Sequence, residues 1–255
     1  MPDGSTLRLE VADGVAVLTL DRAPVNAMND DWVADFHAAL DALAARDDWS
    51  VLHLRSALKV FSAGADLKQL RDNFGRDPAL QAVVGGRYQA LFRRLEALDA
   101  VTLAEIGGAA LGGGLELALA CDLRIAATEA RLGLPEIGLG LIPGAGGTQR
   151  LTLLCGRAEA SRLILGAKLI EGAEAAGIGL VQWAVPAAEL VERARGIAGE
   201  YARMPRRAAA AAKACIAVAC GITEAGEAAE RTQVRDLLGT EETRRLVSAF
   251  LSKSR

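Results

Sequence analysis

The chain has 255 residues, of which 51% are hydrophobic, 24% charged and only 4% aromatic. That length suits one large domain, or a domain with a smaller appendage, around a core of Ala, Leu, Val and Ile. The 29 basic and 32 acidic residues leave a net charge of −3, which excludes a general electrostatic attraction for nucleic acid but leaves room for a local basic groove around a phosphate-bearing ligand.

Residues 7–12 and 15–20 alternate apolar and polar around Ala12-Asp13-Gly14, which predicts a β-hairpin. Asp30 or Asp31 then caps a helix to about Ala45, with Trp32, Val33, Phe36, Leu40 and Leu43 at helical spacing. Residues 51–55 read as a short buried strand, 61–67 (FSAGADL) as a loop and 68–78 as a polar, mobile segment. A helix at about 79–97 carries Leu80, Val84, Tyr88, Leu91, Leu95 and Leu98 on one face. Residues 101–106 form a strand, Leu115–Cys121 begin a helix after three glycines, and 123–127 and 131–132 are short strands. A second glycine cluster at 143–149 (PGAGGTQ) leads into a helix at about 148–154. This alternation makes an α/β fold the expectation. From about 187 the pattern is helix after helix: one carrying Leu190, Ala194, Ile197 and Tyr201, then 206–220, 223–238 and 241–253.

Cys121, Cys155, Cys215 and Cys220 form no CxxC pair, so they read as thiols of a reducing compartment and not as a disulfide framework or metal site. The N-terminus has no basic region followed by an apolar stretch, and charges (Glu116 and Asp122, or Lys213) interrupt each long apolar run. A cytoplasmic protein without a membrane span or bound metal is expected.

Glu116 and Glu136 are the chemically informative pair. Each follows a glycine- or proline-rich turn inside an apolar stretch, and burying a carboxylate is costly. With only two histidines in the chain, carboxylates are the candidates for acid–base work. The plain alternative places Glu116 in the solvent-facing first turn of its helix and Glu136 as an ordinary turn residue. Gly112-Gly113-Gly114 between a strand and a helix bring free N–H groups close to a ligand, or simply make a tight turn. The loop 61–67 offers a second backbone donor, against which stands an ordinary loop with Asp66 as N-cap. Neither glycine cluster spells GxGxxG, there is no GxxxxGK[ST], and Ser62 lies in no GxSxG elbow. His37 and His53 read as structural.

Taken in order, residues 21–29 (DRAPVNAMN), 61–67, 104–122 (AEIGGAALGGGLELALACD), 135–150 (PEIGLGLIPGAGGTQR) and the stretch from Thr240 to Lys253 resemble the crotonase superfamily, the enoyl-CoA hydratase/isomerase family, over essentially the whole chain. The resemblance implies a spiral of ββα units at 1–186 and a C-terminal helical region at 187–255 that builds trimers or pairs of trimers. It implies an acyl-coenzyme A thioester as substrate, with no other cofactor, and an oxyanion hole from the N–H groups of Ala65 and Gly113. It maps Glu116 and Glu136 onto the two carboxylates of a hydratase acting on a trans-2-enoyl-CoA. Ala63, Ala65, Asp66, Leu67 and Lys68 would line the CoA site with Gly113, while Lys253 would reach CoA phosphates. Gly107 and Ala109 depart from the family pattern and would loosen the approach to the glycine triplet. An enoyl-CoA isomerase, a hydratase of cyclic or branched acyl-CoA, and an RNA-binding relative are the alternatives; the acidic balance and the glutamate pair weigh against the last.

Overall fold

A computed structural model describes residues 5–72, 78–219 and 224–253. The hairpin is β1 (Leu7–Ala12) and β2 (Gly14–Leu20). Ala12 pairs with Val15, so Asp13 and Gly14 alone make the turn, at φ +52° and +78°, the left-handed values that a two-residue hairpin turn of this hand requires. Helix α1 (Asp30–Ala44) buries Trp32, Val33, Phe36, Ala39, Leu40 and Leu43. Its cap is Asn29, whose side-chain oxygen accepts from the Trp32 N–H at 2.9 Å; Asp30 and Asp31 lie in the first turn, not at the cap as the sequence reading had it.

Strands β3 (Trp49–Ser56), β4 (Val101–Ile106), β6 (Leu123–Ala127) and β9 (Trp183–Val185) continue the sheet in the order β1-β2-β3-β4-β6-β9. All pairings beyond the hairpin are parallel, and the central strands are runs of buried apolar residues, as a sheet covered on both faces demands. A second sheet has the order β5-β7-β8, from β5 (Ala110–Leu111), β7 (Arg131–Gly133) and β8 (Leu169–Glu171). The two-residue β5 and the strands β8 and β9 carry no periodicity that a sequence could show.

Helices α2 (Leu67–Asp72) and α3 (Pro78–Glu96) occupy the segment read as mobile and the helix after it; residues 73–77 and the side chains of Leu80 and Val84 lie outside the described residues. Helix α4 is Gly113–Leu119, wholly buried. Helix α5 (Gly147–Leu165) runs well past the expected end at 154, because the helix resumes after a non-helical Gly156. Short α6 (Gly172–Gly177) precedes β9.

Among the C-terminal helices, α7 (Ala187–Ala202) packs across β2, β3, β4 and β6 through Leu190, Ala194 and Ile197, so its apolar stripe completes the core of this same chain. Helix α8 (Arg206–Ala219) is held at its polar side, where the Lys213 ammonium reaches Asp122 at 2.8 Å and the Ala100 carbonyl at 3.0 Å. Its Ile216 and Val218 are exposed. Helix α9 (Glu224–Leu238) lies on α3, and α10 (Glu241–Lys253) on α2 and the 3-10 turn Glu136–Leu139. Cys220 and the side chain of Lys253 lie outside the described residues. No helix among those described is long and apolar enough to cross a membrane.

Candidate active site

Two backbone segments meet at the N-terminus of α4. In the first, Ser62 is fully buried; its hydroxyl donates to the Asn26 carbonyl at 2.8 Å and accepts from the Gly64 N–H at 3.1 Å. These bonds make Ser62 a loop brace. Met28 then bridges Ala65 in parallel: the Met28 N–H donates to Gly64 O and the Asp66 N–H to Met28 O, both at 2.8 Å. That pattern leaves the intervening Ala65 N–H out of the ladder. The Met28 carbonyl also accepts from the Tyr88 hydroxyl at 2.8 Å, and burial pushes the phenol's pKa upward, keeping it a neutral donor.

Asp66 does cap α2, accepting from the Lys68 and Gln69 N–H groups at 3.0 and 3.3 Å. Its other oxygen takes the Arg22 guanidinium at 3.0 Å. The loop therefore contains a capped helix start, with the Ala65 N–H outside the ladder one residue before the cap. Ala63, Ala65 and Lys68 are exposed, with Asp66 and Leu67 half-buried. Lys68 lines a depression together with Asn29, Asp30, Asp31, Asp66, Gln69 and Asp72.

In the second segment Gly113 is the first residue of α4, where an N–H has no acceptor within the helix. A β-carbon placed on Gly64 would lie 2.9 Å from the Gly113 nitrogen, and one on Gly113 would lie 3.5 Å from the Ala65 nitrogen. The two N–H groups are thus close neighbours. The far end of α4 is closed by Arg124, 1% exposed, which donates to the Leu180 carbonyl at 2.8 Å and the Ala118 carbonyl at 3.4 Å. Burial lowers the pKa of this guanidinium and pushes the adjacent Cys121 thiol up to about 12.

Glu116 lies one turn into α4 and is 3% exposed, so it does not face solvent. Its Oε1 accepts two backbone N–H groups, from Ala145 at 2.8 Å and Gly147 at 2.7 Å. Glu136 opens the 3-10 turn and is half-buried. Its Oε1 lies against the backbone of Gly112, 2.8 Å from where a β-carbon would be. Both candidate carboxylates and both candidate N–H groups therefore gather around the 112–116 segment.

The remaining sequence candidates fall elsewhere. Gly107 is exposed, and a β-carbon on it would touch Leu190 at an ordinary 3.5 Å; the Ala109 carbonyl accepts the Phe61 and Ser62 N–H groups at 2.9 and 3.1 Å. His53 pairs with Glu105 at 2.8 Å deep between β3 and β4. His37 is partnered by Arg94 at 3.1 Å. Among the described residues no group of His, Cys, Asp and Glu has the grouping of a metal site. Sequence reasoning missed the Ala145 and Gly147 donors, although the small-residue run at 143–147 was a signal that the backbone there is bare enough to approach an anion.

The sequence profile of the enoyl-CoA hydratase/isomerase family matches residues 10–255, and the chain belongs to that family. The short-chain-enoyl-CoA hydratase of Clostridium acetobutylicum is 35% identical over 249 residues, covering 96% of this chain and 94% of that protein. The 2,3-dehydroadipyl-CoA hydratase of Escherichia coli K12 is 37% identical over 241 residues, covering 94% and 92%. Among solved structures, Pseudomonas aeruginosa DspI superimposes with a TM-score of 0.81 at 35% identity over 99% of this chain and 96% of that one. An enoyl-CoA hydratase from Bacillus anthracis gives 0.79 at 32% identity over 97% and 96%. The fold is that of the crotonase enzymes.

Proposed function

We propose that this protein adds water across the 2,3 double bond of a trans-2-enoyl-CoA thioester. The observation that carries the reading is the convergence of two unladdered N–H groups, Ala65 and Gly113, with two carboxylates, Glu116 and Glu136, on one helix N-terminus. The thioester oxygen accepts both N–H groups. As charge builds on that oxygen, the donors are already in place, so stabilisation grows toward the transition state without reorganisation. Glu116 takes a proton from water while the water oxygen bonds to C3; Glu136 gives a proton to C2 on the same face. Proton exchange with solvent then restores both groups. The names of the relatives support hydration; the short-chain and dehydroadipyl substrates of those two proteins differ, so the acyl group belongs to the surrounding walls and not to this core.

In the same reading, residues 63–68 border the CoA moiety, and the protein works as a trimer or a pair of trimers in the cytoplasm. The exposed Ile216 (63%) and Val218 (87%) of α8 support self-association, and the free thiols Cys121, Cys155 and Cys215 suit a reducing compartment.

The test is the loss of conjugated enoyl-thioester absorbance with crotonyl-CoA. Glu116→Gln and Glu136→Gln should each lower kcat by about 10²–10⁴-fold while CoA-ester binding stays near wild type. Wild-type rates in both folded variants would remove the carboxylates from the mechanism. No turnover by folded, ligand-binding wild type would redirect the reading to 3-enoyl, cyclic or branched thioesters.

A further inference from the structure

The loop that holds Glu116 is itself clamped on every peptide. Three consecutive peptide units are involved: 144–145, 145–146 and 146–147. The first and third point their N–H groups at Glu116 Oε1. For both to converge, Gly146 between them sits at φ +97°, the alternation that turns backbone N–H groups into a concave anion cradle. Each unit is also gripped by its carbonyl. Gly144 O accepts from the Gln89 side-chain amide at 3.0 Å, Ala145 O from Arg150 Nη1 at 2.7 Å, and Gly146 O from the Arg150 backbone N–H at 2.9 Å.

These grips have a common anchor. Arg150 is 2% exposed and forms a two-pronged pair with Glu96, Nε to Oε1 at 2.6 Å and Nη2 to Oε2 at 2.7 Å, the geometry in which a guanidinium fork is most rigid. Gln89 and Glu96 both project from α3, seven residues and two turns apart on one face. Gln89 is fully buried and its amide oxygen accepts from Arg231 of α9. The same helix covers the loop, since a β-carbon on Gly144 would fall 2.8 Å from Val234.

We infer that Gln89 and Arg150, with Glu96 behind Arg150, are positioning residues for Glu116. A flip of either outer peptide would turn an N–H away from the carboxylate and a carbonyl toward it. The clamp forbids that flip, and an amide whose carbonyl already accepts a hydrogen bond is a better donor through its N–H. Through these bonds both residues act on Glu116 by way of the backbone between. The inference rests on the base role proposed for Glu116.

The test is a cycle of variants assayed with crotonyl-CoA: Gln89→Met, Arg150→Lys and Glu116→Gln, and each clamp variant combined with Glu116→Gln. On the wild-type background, Gln89→Met and Arg150→Lys should lower kcat by about 10- to 100-fold with KM within about twofold. On the Glu116→Gln background the same changes should move the residual kcat by less than about twofold, because the group they aim is already disabled. Gln89→Met preserves volume and leaves the Arg150–Glu96 fork intact, so it carries the test if Arg150→Lys reduces the folded fraction seen by circular dichroism. Equal losses on both backgrounds, or wild-type kcat in the clamp variants while Glu116→Gln is inactive, would overturn the inference and leave the hydratase reading standing. Wild-type kcat in Glu116→Gln would instead bring down the base assignment, and the inference with it.

Discussion

Gly114 runs so close to Ser62 that a β-carbon on the glycine would sit 2.3 Å from the Ser62 carbonyl oxygen and 2.9 Å from its carbonyl carbon. These are backbone atoms, and Ser62 is pinned by its hydroxyl to Asn26, so neither side can yield cheaply. The contact sets the separation between the start of α4 and the loop bearing Ala65. The glycine triplet thus has a division of labour: Gly112 passes the Glu136 carboxylate, Gly113 presents its N–H, and Gly114 permits the close approach.

Gly114→Ala should therefore wedge the Ala65 and Gly113 donors apart. We expect a fall in kcat of about 10²–10³-fold, comparable to losing one donor of an oxyanion hole, with a stability loss of about 1–3 kcal/mol from overpacking. Crotonyl-CoA kinetics and urea denaturation of the same preparation read the two effects separately. Wild-type kcat in this variant would mean that the spacing of the two segments does not matter to turnover.

His53 and Glu105 form a buried pair, with side chains 5% and 7% exposed. Replacing His53 by Leu strands a carboxylate in the sheet and should cost about 3–5 kcal/mol; replacing both by Leu should cost less than the sum of the single changes. Chemical denaturation of the two single variants and the double variant checks this. Strict additivity would show that the two side chains do not support one another.

His37 supplies a pH dependence. Burial of the imidazole, and secondarily the Arg94 guanidinium, holds its pKa below the ordinary value of 6.5. The unfolded chain then binds a proton more readily than the folded one, so stability rises with pH across the interval between the two values. The contribution is fully present above about pH 6.5 and is lost as pH falls through the folded-state value. Unfolding free energies measured across that interval should show a shallower slope for His37→Gln than for wild type; identical slopes would contradict this account.

The sequence exposed the parts of the site that are local. Glycines at 112–114, the small residues at 63–65 and an apolar setting for Glu116 are patterns a few residues long, and all of them meet at one helix start. The hairpin, α1 and the helices from 187 onward were legible for the same reason, since their apolar spacing is set by one repeating backbone geometry. What stayed hidden depends on partners far along the chain. Gln89, Glu96 and Arg150 are separated from one another or from the loop they grip by more than fifty residues, and nothing in their neighbours announces the pairing. The helix expected at about 148–154 was too short, because the chain breaks at the non-helical Gly156 and then resumes its helix to Leu165. Arg94, the partner of His37, likewise lies 57 residues along the chain, on α3.

The small sheet has a consequence for how such a site tolerates change. Strands β5 and β7 pair in parallel, Leu111 opposite Gly133, and the Gly112 N–H extends the ladder to Gly133 O at 2.9 Å. Glu116 follows one strand by five residues and Glu136 follows the other by three. Their backbone starting points are therefore spaced by a peptide ladder of about 4.8 Å, whereas α10 reaches this frame from outside through a side chain, the Thr243 hydroxyl donating to the Gly140 carbonyl at 2.8 Å. Substitutions on the faces of such outer helices leave this ladder untouched, so the backbone from which the two glutamates depart keeps its spacing while the surrounding helices vary.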